Sequence, residues 1–577
     1  MVDTVMGRVD DLLRRAFAEA DLPTEGVRCV PAGKPEFGDF QCNAAMALGK
    51  AAKRNPRDLA SAVAALLRAN PEFASVEVAG PGFLNLRLAD DFVTARAQAQ
   101  AASPTLGILQ SDAAPVLLDF GGPNVAKPLH VGHLRSLVIG EALSRIFAAQ
   151  GIGVTSDIHL GDWGLQMGML IGAARRAHPD RAPGTVGEMI GVDEMERLYP
   201  EASAACKADP ERMAEARALT AALQSGDTEA YADWAALRAG SLADQRRDID
   251  RLGTRFDLFL GESDAQPTVD TLVPSLVARG LAYESDGALV IDVAEPEDAK
   301  PLPPLILAKS DGAATYGTTD MATIAARAAD PVTGRCRRYV YVVDERQSLH
   351  FKQVFRAARR CGLAPGVEMI HVGFGTVNGV DGKPYRTREG GVARLRDLLS
   401  EAVEKARQRV EPDDATIDRD LLAEQVGLAA VKWADLSTLR LSGYSFNLDR
   451  MMSFEGNTGP YIQYACVRIG AIGVKAAAAG LDASAIALGH PAERALAMAC
   501  LRLPTAVAAA SAGYAPNEIA DFAFAVAQSF SRFYTECPVL AAEDEAVRAS
   551  RLALCGLAHQ VLSKALWMLG IAVPQKM

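Results

Sequence analysis

Apolar and polar positions follow three different rhythms along this chain. Residues 3–20 carry apolar side chains at helical spacing with acids and bases between them, which predicts an amphipathic helix, and 41–69 reads the same way. A strand pattern at 76–78, a Gly80-Pro81-Gly82 turn and the alternating run 83–88 predict two strands joined by a turn. The Ala-rich, Ser/Pro-marked stretch 97–114 reads as a linker. Residues 115–120 then form a buried-strand pattern that ends at Gly121-Gly122-Pro123-Asn124, and a helix is predicted from near Leu129 to Gln150. Further strand patterns lie at 152–158, 288–293, 303–308, 338–343 and 367–372, with helical stretches between several of them. Strands alternating with helices predict a mostly parallel, doubly wound α/β sheet. Residues 165–285 are largely helical and read as an insertion in that sheet domain. Beyond Asp397 strand signals fade into Ala/Leu-rich helical spacing at 421–436, 461–479, 492–510 and 550–569, an all-α bundle. The expected domains are an α+β unit at 1–105, the parallel-sheet unit at 110–396 and the bundle at 397–577.

Composition narrows the function classes. At roughly 100–200 residues per domain, 577 residues suit this organisation and a sizeable core. Hydrophobic residues at 49% exclude an intrinsically disordered chain. A net charge of −11, from 60 Lys and Arg against 71 Asp and Glu, speaks against holding nucleic acid by bulk positive charge. It leaves room for local basic surfaces. Without a run of 18 apolar residues or a secretory-type start, no membrane partner is expected. The nine cysteines include no C-x-x-C pair and no zinc spacing, which predicts reduced thiols in a cytoplasmic protein and no structural metal.

The chemistry concentrates after the 115–120 strand. There His130-Val-Gly132-His133 opens a helix, so two imidazoles three residues apart project from its first turn. Gly132 lets a ring or a phosphate chain approach the backbone N–H groups at the positive end of the helix dipole. That combination suits a triphosphate whose charge rises on attack at the α-phosphorus. With no Cys, Asp or Glu at ligand spacing beside them, a metal pair is the weaker reading of these histidines. A second cluster, Asp381-Gly-Lys383-Pro-Tyr385-Arg386-Thr387-Arg388-Glu-Gly-Gly391, is Gly-rich and carries three cations over six residues, enough to neutralise phosphate charge.

The string Asn124-x-x-Lys127-x-x-His130-x-Gly132-His133-Leu-Arg135-Ser136 resembles the signature of class I aminoacyl-tRNA synthetases, and the arginyl-tRNA synthetase family in particular. Gly161-Asp162-Trp163-Gly164-Leu-Gln166-Met-Gly168 resembles a stretch beside that family's active site. The resemblance implies a class I Rossmann-like catalytic domain that binds ATP through Gly132, His130, His133, Gly161, Asp162 and Trp163, with Mg2+ accompanying ATP. His130, His133, Lys127, Lys383, Arg386 and Arg388 are the implied catalytic set. The chain departs from the class I K-M-S-K-S loop: Arg386 or Arg388 stands where a second lysine is usual, and Lys127 is a candidate for the missing ammonium.

A free arginine needs carboxylates for its guanidinium and an aromatic wall. Tyr316 and Asp320, four apart on a predicted helix, resemble the family's substrate motif; Asp119, Asn124 and Gln347 match further substrate positions. The family more often has Ser at 121 or 122, where this chain has Gly. In the bundle, Tyr461, Tyr464 and Arg468 share a helix face, and with Tyr534 they match anticodon-stacking positions. Phe83 and Asn85 match an N-terminal domain that meets the tRNA elbow. The implied partners are L-arginine, ATP and tRNA(Arg), with the chain acting as a monomer; the family commonly needs bound tRNA before it activates arginine, and the sequence leaves that point open for this chain. The nearest competing reading, a class I synthetase of another specificity, has no reason for the Tyr316-x-x-x-Asp320 string, and two rivals come from other classes. A small-molecule nucleotidyltransferase has no use for so long a helical C-terminus, and a catalytically dead RNA-binding relative has no reason to keep His130, His133, Tyr316 and Asp320 together.

Overall fold

The computed structural model describes residues 4–309, 314–379, 381–383, 385, 393–410 and 417–577. They fall into two compact units, one comprising Met1–Ser111, Val410–Ala429 and Met452–Met577, the other Asp112–Arg409 and Ala430–Met451.

In the first unit, strands β1 (Cys29–Pro31), β2 (Phe40–Cys42), β3 (Phe73–Ala79) and β4 (Phe83–Leu88) form an antiparallel sheet in the order β1-β2-β4-β3. Helix Val5–Glu19 starts where the Thr4 hydroxyl accepts from Gly7 N, and it buries Val9, Leu13 and Phe17. The expected helix over 41–69 is two helices, Ala44–Ala52 and Pro56–Arg68. The break has a local cause: Lys53 is left-handed at φ 53°, and Asn55 caps a new helix whose first residue is Pro56. The expected linker over 97–114 also yields in part, because helix Asp90–Ala102 occupies its first residues. Helices Gly459–Ala478, Pro491–Cys500, Leu503–Gly513, Asn517–Glu536 and Glu545–Met568, with the first part of helix Arg419–Leu436, belong to the same unit. The segment Pro491–Gly513 is long and apolar enough to cross a membrane by composition. It is two helices here, and Leu496, Ala497, Cys500, Leu503 and Val507 are fully buried within the protein. Arg494 binds Asp39 through both terminal nitrogens (2.8 and 2.9 Å) and Asp90 through Nε (2.6 Å), which ties the bundle to the N-terminal sheet.

The second unit is built on a parallel sheet. β5 (Val116–Phe120) lies between β6 (Val154–Asp157) and β10 (Arg338–Val342), and β11 (Glu368–His371) flanks β10, giving the order β11-β10-β5-β6. All five β5 residues are buried, as a strand covered on both faces requires. The chain leaves β5 to one side for β6 and returns on the other for β10, so the carboxyl ends of β5 and β10 form a topological switch point, where ligands bind in such sheets. Strands β7 (Tyr283–Ser285), β8 (Ala288–Ile291) and β9 (Leu305–Ala308) do not join it; they form a separate antiparallel sheet. The cause is the two-residue Asp286-Gly287 turn, both at positive φ (50° and 78°), which makes a tight hairpin. Helices Leu165–Ala177, Val192–Ala208, Pro210–Gln224, Thr228–Arg251 and Glu262–Ala278 occupy most of 165–285. Finally β12 (Val377–Asn378) pairs in parallel with β13 (Tyr444–Ser445).

Candidate active site at the carboxyl ends of β5 and β10

β5 ends in Gly121 and Gly122 at φ 93° and 49°. A serine at 121 would be strained there, which accounts for glycine in place of a hydroxyl. Helix Val131–Ala149 follows, and its two histidines make its start. His130 Nδ1 accepts from Gly132 N (3.0 Å), and His133 Nδ1 accepts from His130 N (3.0 Å), a reciprocal capping box. The rings lie 3.9 Å apart. Gly132 is required by this geometry, since a Cβ there would sit 2.7 Å from His130 Cε1. With each Nδ1 accepting, both rings are neutral and carry their proton on Nε2. Burial, then the charge of Lys127, lowers the His130 pKa. Burial, then neighbouring His130, depresses that of His133 to about 3. Both histidines are therefore hydrogen-bond donors rather than cations at neutral pH.

The second cationic element is fastened beside them. Tyr385 N donates to Val377 O (3.0 Å), and Gly379 N donates to Lys383 O (2.7 Å), closing a turn that leaves Lys383 exposed. The chain is next described at Ala393, whose carbonyl accepts from Val131 N (3.0 Å), while Leu395 N donates to Leu129 O (2.9 Å). The described residues on either side of this stretch are thus held at β12, through Tyr385, and against the residues flanking His130, through Ala393. Arg386 and Arg388 lie outside the described residues. The Lys127 ammonium sits 4.9 Å from the Tyr199 ring centre.

The expected substrate residues are only partly gathered. Tyr316 and Asp320 share a face of helix Tyr316–Ala329; Tyr316 is 63% exposed, and Asp320 accepts from His350 Nε2 (2.5 Å). Asp119 is buried and already held: Arg327 Nη2 donates to Asp119 (2.6 Å) and to Asp157 (2.5 Å), and Nη1 donates to the Tyr341 hydroxyl (3.2 Å). Burial pushes the Asp119 carboxyl up against the pull of Arg327. Asn124 bridges to Gly161, whose Cα has no room for a side chain against Asn124 Oδ1. Gln347 is exposed at the start of helix Ser348–Cys361. Asp162 is buried, bound to Arg238 (2.6 Å), Ser263 N (2.9 Å) and Ser263 Oγ (2.8 Å). Trp163 donates to Gln266 (3.0 Å) and packs edge-on against Trp234. Asp162 and Trp163 therefore face the protein's own frame.

Three residues missed in the sequence belong to this place. Glu262 opens helix Glu262–Ala278; burial, then Asp162, with a further contribution from Asp320, raises its carboxyl to about 7. It also lies near enough to raise the Tyr316 hydroxyl, after burial. Arg327 was one arginine in an Ala-rich helix, seven residues from Asp320, and its inward position was the available signal. His159, just past β6, has both ring nitrogens buried with no partner among the described residues. His159, Asp119 and Asp157 bring three possible metal-ligand atoms within 4.8 Å of one another, but Arg327 already holds both carboxylates and takes a cation's place.

In the first unit, Arg468 lies over the Tyr534 ring (4.0 Å) and near that of Tyr464 (5.9 Å), and these tyrosines are 39% and 41% exposed. Tyr461 stands apart, with its hydroxyl 3.2 Å from Ser531 Oγ. Asn85 is buried and accepts from Gln41 Nε2 (2.7 Å), while Phe83 is half-buried.

A doubly wound parallel sheet whose first βα turn delivers H-x-G-H, with a cationic loop fastened beside it, defines the catalytic domain of a class I aminoacyl-tRNA synthetase. The family model "tRNA synthetases class I (R), catalytic domain" matches residues 98–448. The arginyl tRNA synthetase N terminal domain matches 7–88, and the DALR anticodon binding domain matches 462–577. The chain is 45% identical to the arginine–tRNA ligase of Maricaulis maris over all of both chains. It is 44% identical to that of Hyphomonas neptunium, covering 94% of this chain and 95% of the relative. Among solved structures it is similar to the arginyl-tRNA synthetase of Plasmodium falciparum (TM-score 0.84, 25% identity, 100% of this chain and 99% of that one). It is also similar to that of Thermus thermophilus (TM-score 0.81, 26% identity, 99% and 100%). The chain belongs to the arginyl-tRNA synthetase family.

Proposed function

We propose that this chain runs the arginine–tRNA ligase reaction at the carboxyl ends of β5 and β10, with L-arginine, MgATP and tRNA(Arg) as substrates, acting as a cytoplasmic monomer. The observation that carries this reading is the placement of two anion-binding elements, the His130–His133 helix start and the Lys383 turn, on one frame with the carboxylates Asp320 and Glu262.

The arginine carboxylate attacks the α-phosphorus of ATP; the bond to the bridging oxygen breaks, pyrophosphate leaves, and arginyl-adenylate forms. The Nε2–H groups of His130 and His133 donate to the α-phosphate oxygens as their charge rises. Lys383, with Arg386 and Arg388, neutralises the departing pyrophosphate, and Lys127 serves as the further ammonium. Gly132 and Gly161 present backbone to the nucleotide, their missing side chains making room for the His130 ring and Asn124, while Asp162 and Trp163 hold that turn through Arg238, Ser263 and Gln266. Mg2+ enters with the triphosphate, whose oxygens suit it better than a carboxylate pair already bound to Arg327. Asp320 and Glu262 receive the guanidinium against the Tyr316 ring. Asp119, oriented by Arg327, receives the α-ammonium, with Asn124 and Gln347 beside it. A terminal ribose hydroxyl of the tRNA then attacks the adenylate carbonyl, and AMP leaves. Tyr461, Tyr464, Arg468 and Tyr534 offer anticodon bases aromatic and cationic faces. Phe83 and Asn85 lie on the sheet proposed for the tRNA elbow.

Arginine-dependent ATP–pyrophosphate exchange, with and without tRNA(Arg), tests the reading. Arginine-dependent exchange supports it, and the arm without tRNA shows whether activation requires the tRNA; exchange driven by another amino acid instead would overturn it.

A further inference from the structure

Arg135 lies two residues after His133, is 1% exposed, and has no catalytic task in the mechanism above. Its surroundings form one connected network. Nη1 donates to Ser442 O (2.8 Å), and Nε faces both oxygens of buried Asp435 (3.3 and 3.2 Å). The guanidinium lies 5.4 Å from the Tyr444 ring centre and 5.9 Å from that of Phe374. Tyr444 lies in β13 with Ser442 just before it, and Phe374 lies in the stretch before β12. Tyr444 and Ser445 form β13, which pairs with Val377 and Asn378 at the loop's root. Gly375 N donates to Arg440 O (2.9 Å), and Arg440 Nη1 donates to Gly373 O (2.6 Å), so the stretch before β12 is stitched to the same segment.

Stability alone is a weak reason to bury such a charge. Replacing a buried ion pair by apolar residues of similar volume is often neutral or stabilising. The Nη2 atom moreover has no hydrogen-bond partner among the described residues. What the guanidinium supplies is direction: one fork joins the H-x-G-H helix to the strand pair at the root of the loop.

We propose that Arg135 is a positioning residue that sets the spacing between the H-x-G-H helix start and the Lys383 loop, so that one triphosphate meets both in the transition state. This rests on the proposed role of the loop in neutralising pyrophosphate. Arg135 touches no substrate. It acts on the rate of adenylate formation by holding two phosphate-binding elements in register, where an error of about 1 Å can cost on the order of a hundredfold.

A double-mutant cycle on arginine-dependent ATP–pyrophosphate exchange with tRNA present tests it, using Arg135→Lys, Lys383→Ala and the double variant. Arg135→Lys keeps the charge and removes the fork. Its kcat is expected to fall about ten- to a hundredfold with the arginine KM within about twofold. In the Lys383→Ala background the same change should cost less than about threefold, because Lys383 is the cation of the turn that Arg135 holds in register. Fully multiplicative losses, an unchanged kcat in folded Arg135→Lys, or a matching rise in arginine KM would each overturn the proposal. If Lys383→Ala leaves kcat unchanged, the reading of the loop fails first and takes the inference with it. Should Arg135→Lys not fold, Asp435→Asn enters the same cycle, and a kcat equal to the parent's overturns the proposal.

Discussion

A histidine that caps its own helix carries two duties, and substitution can separate them. Asn at position 130 still accepts from the backbone N–H groups of the first turn but offers no Nε2–H to phosphate. His130→Asn should therefore keep a near-parental melting temperature while kcat for adenylate formation falls roughly 10²–10³-fold, the usual cost of one oxyanion donor. His133 adds a pH consequence. Its folded pKa, depressed to about 3 by burial and by His130, lies below the ordinary 6.5, so the unfolded chain binds the extra proton first. The stability it contributes is present above pH 6.5 and is lost as pH falls toward 3; urea midpoints between pH 7 and 4 should decline less steeply in His133→Gln. Glu262 works in the opposite sense. Burial, then Asp162, raises its carboxyl to about 7, so below that pH it is protonated and a poor partner for a guanidinium. Arginine KM should fall as pH rises from 6 to 8, and Glu262→Gln should raise the KM and flatten that slope. A slope unchanged in the variant would remove Glu262 from the pocket.

Among the elements, the most telling contact is the Arg494 fork on Asp39 and Asp90. Arg494→Leu should destabilise the first unit by about 3–5 kcal/mol, because it leaves the half-enclosed Asp39 without its counter-charge. Differential scanning calorimetry would show a lowered transition. What the chain's patterning reveals differs at this scale from what it conceals. β5, its glycine turn and the H-x-G-H helix are legible because strand, turn and cap are neighbours in sequence. Tyr316 and Asp320 are legible for the same reason, one helical turn apart. Glu262, Arg327 and His159 are not, since their meaning comes from residues far along the chain: Asp320 for Glu262, and Asp119 and Asp157 for Arg327. The strand patterns at 288–293 and 303–308 mark real strands, but the choice of sheet rested on Asp286-Gly287, a two-residue hairpin signal that outweighed the βαβ rhythm. Likewise Asn55-Pro56 outweighed a helical periodicity running across it.

Across the whole molecule, the net charge of −11 leaves tRNA recognition to local features. The proposed feature of this kind is exposed Tyr464 and Tyr534 with Arg468, a cation over one ring and near the other, where bases can stack. Arg468→Ala is expected to raise the tRNA KM roughly five- to a hundredfold, by the roughly 1–3 kcal/mol of one stacking contact. Arginine and ATP KM values should stay unchanged, as steady-state aminoacylation would show. Lost affinity for all three substrates alike would instead mean a damaged bundle. The composition of the first unit has a consequence in time. Its N-terminal sheet and its C-terminal helices are separated by the stretch from Ser111 to Met452, most of which folds as the other unit. At about 5–20 residues per second, a ribosome needs roughly 20–70 s to cross that stretch. During this interval Asp39 and Gln100 wait without Arg494 and Cys500, their later partners. Nascent chains of this protein therefore pass through a stage in which the first part made is finished last, and that stage is where chaperones and proteases will find it.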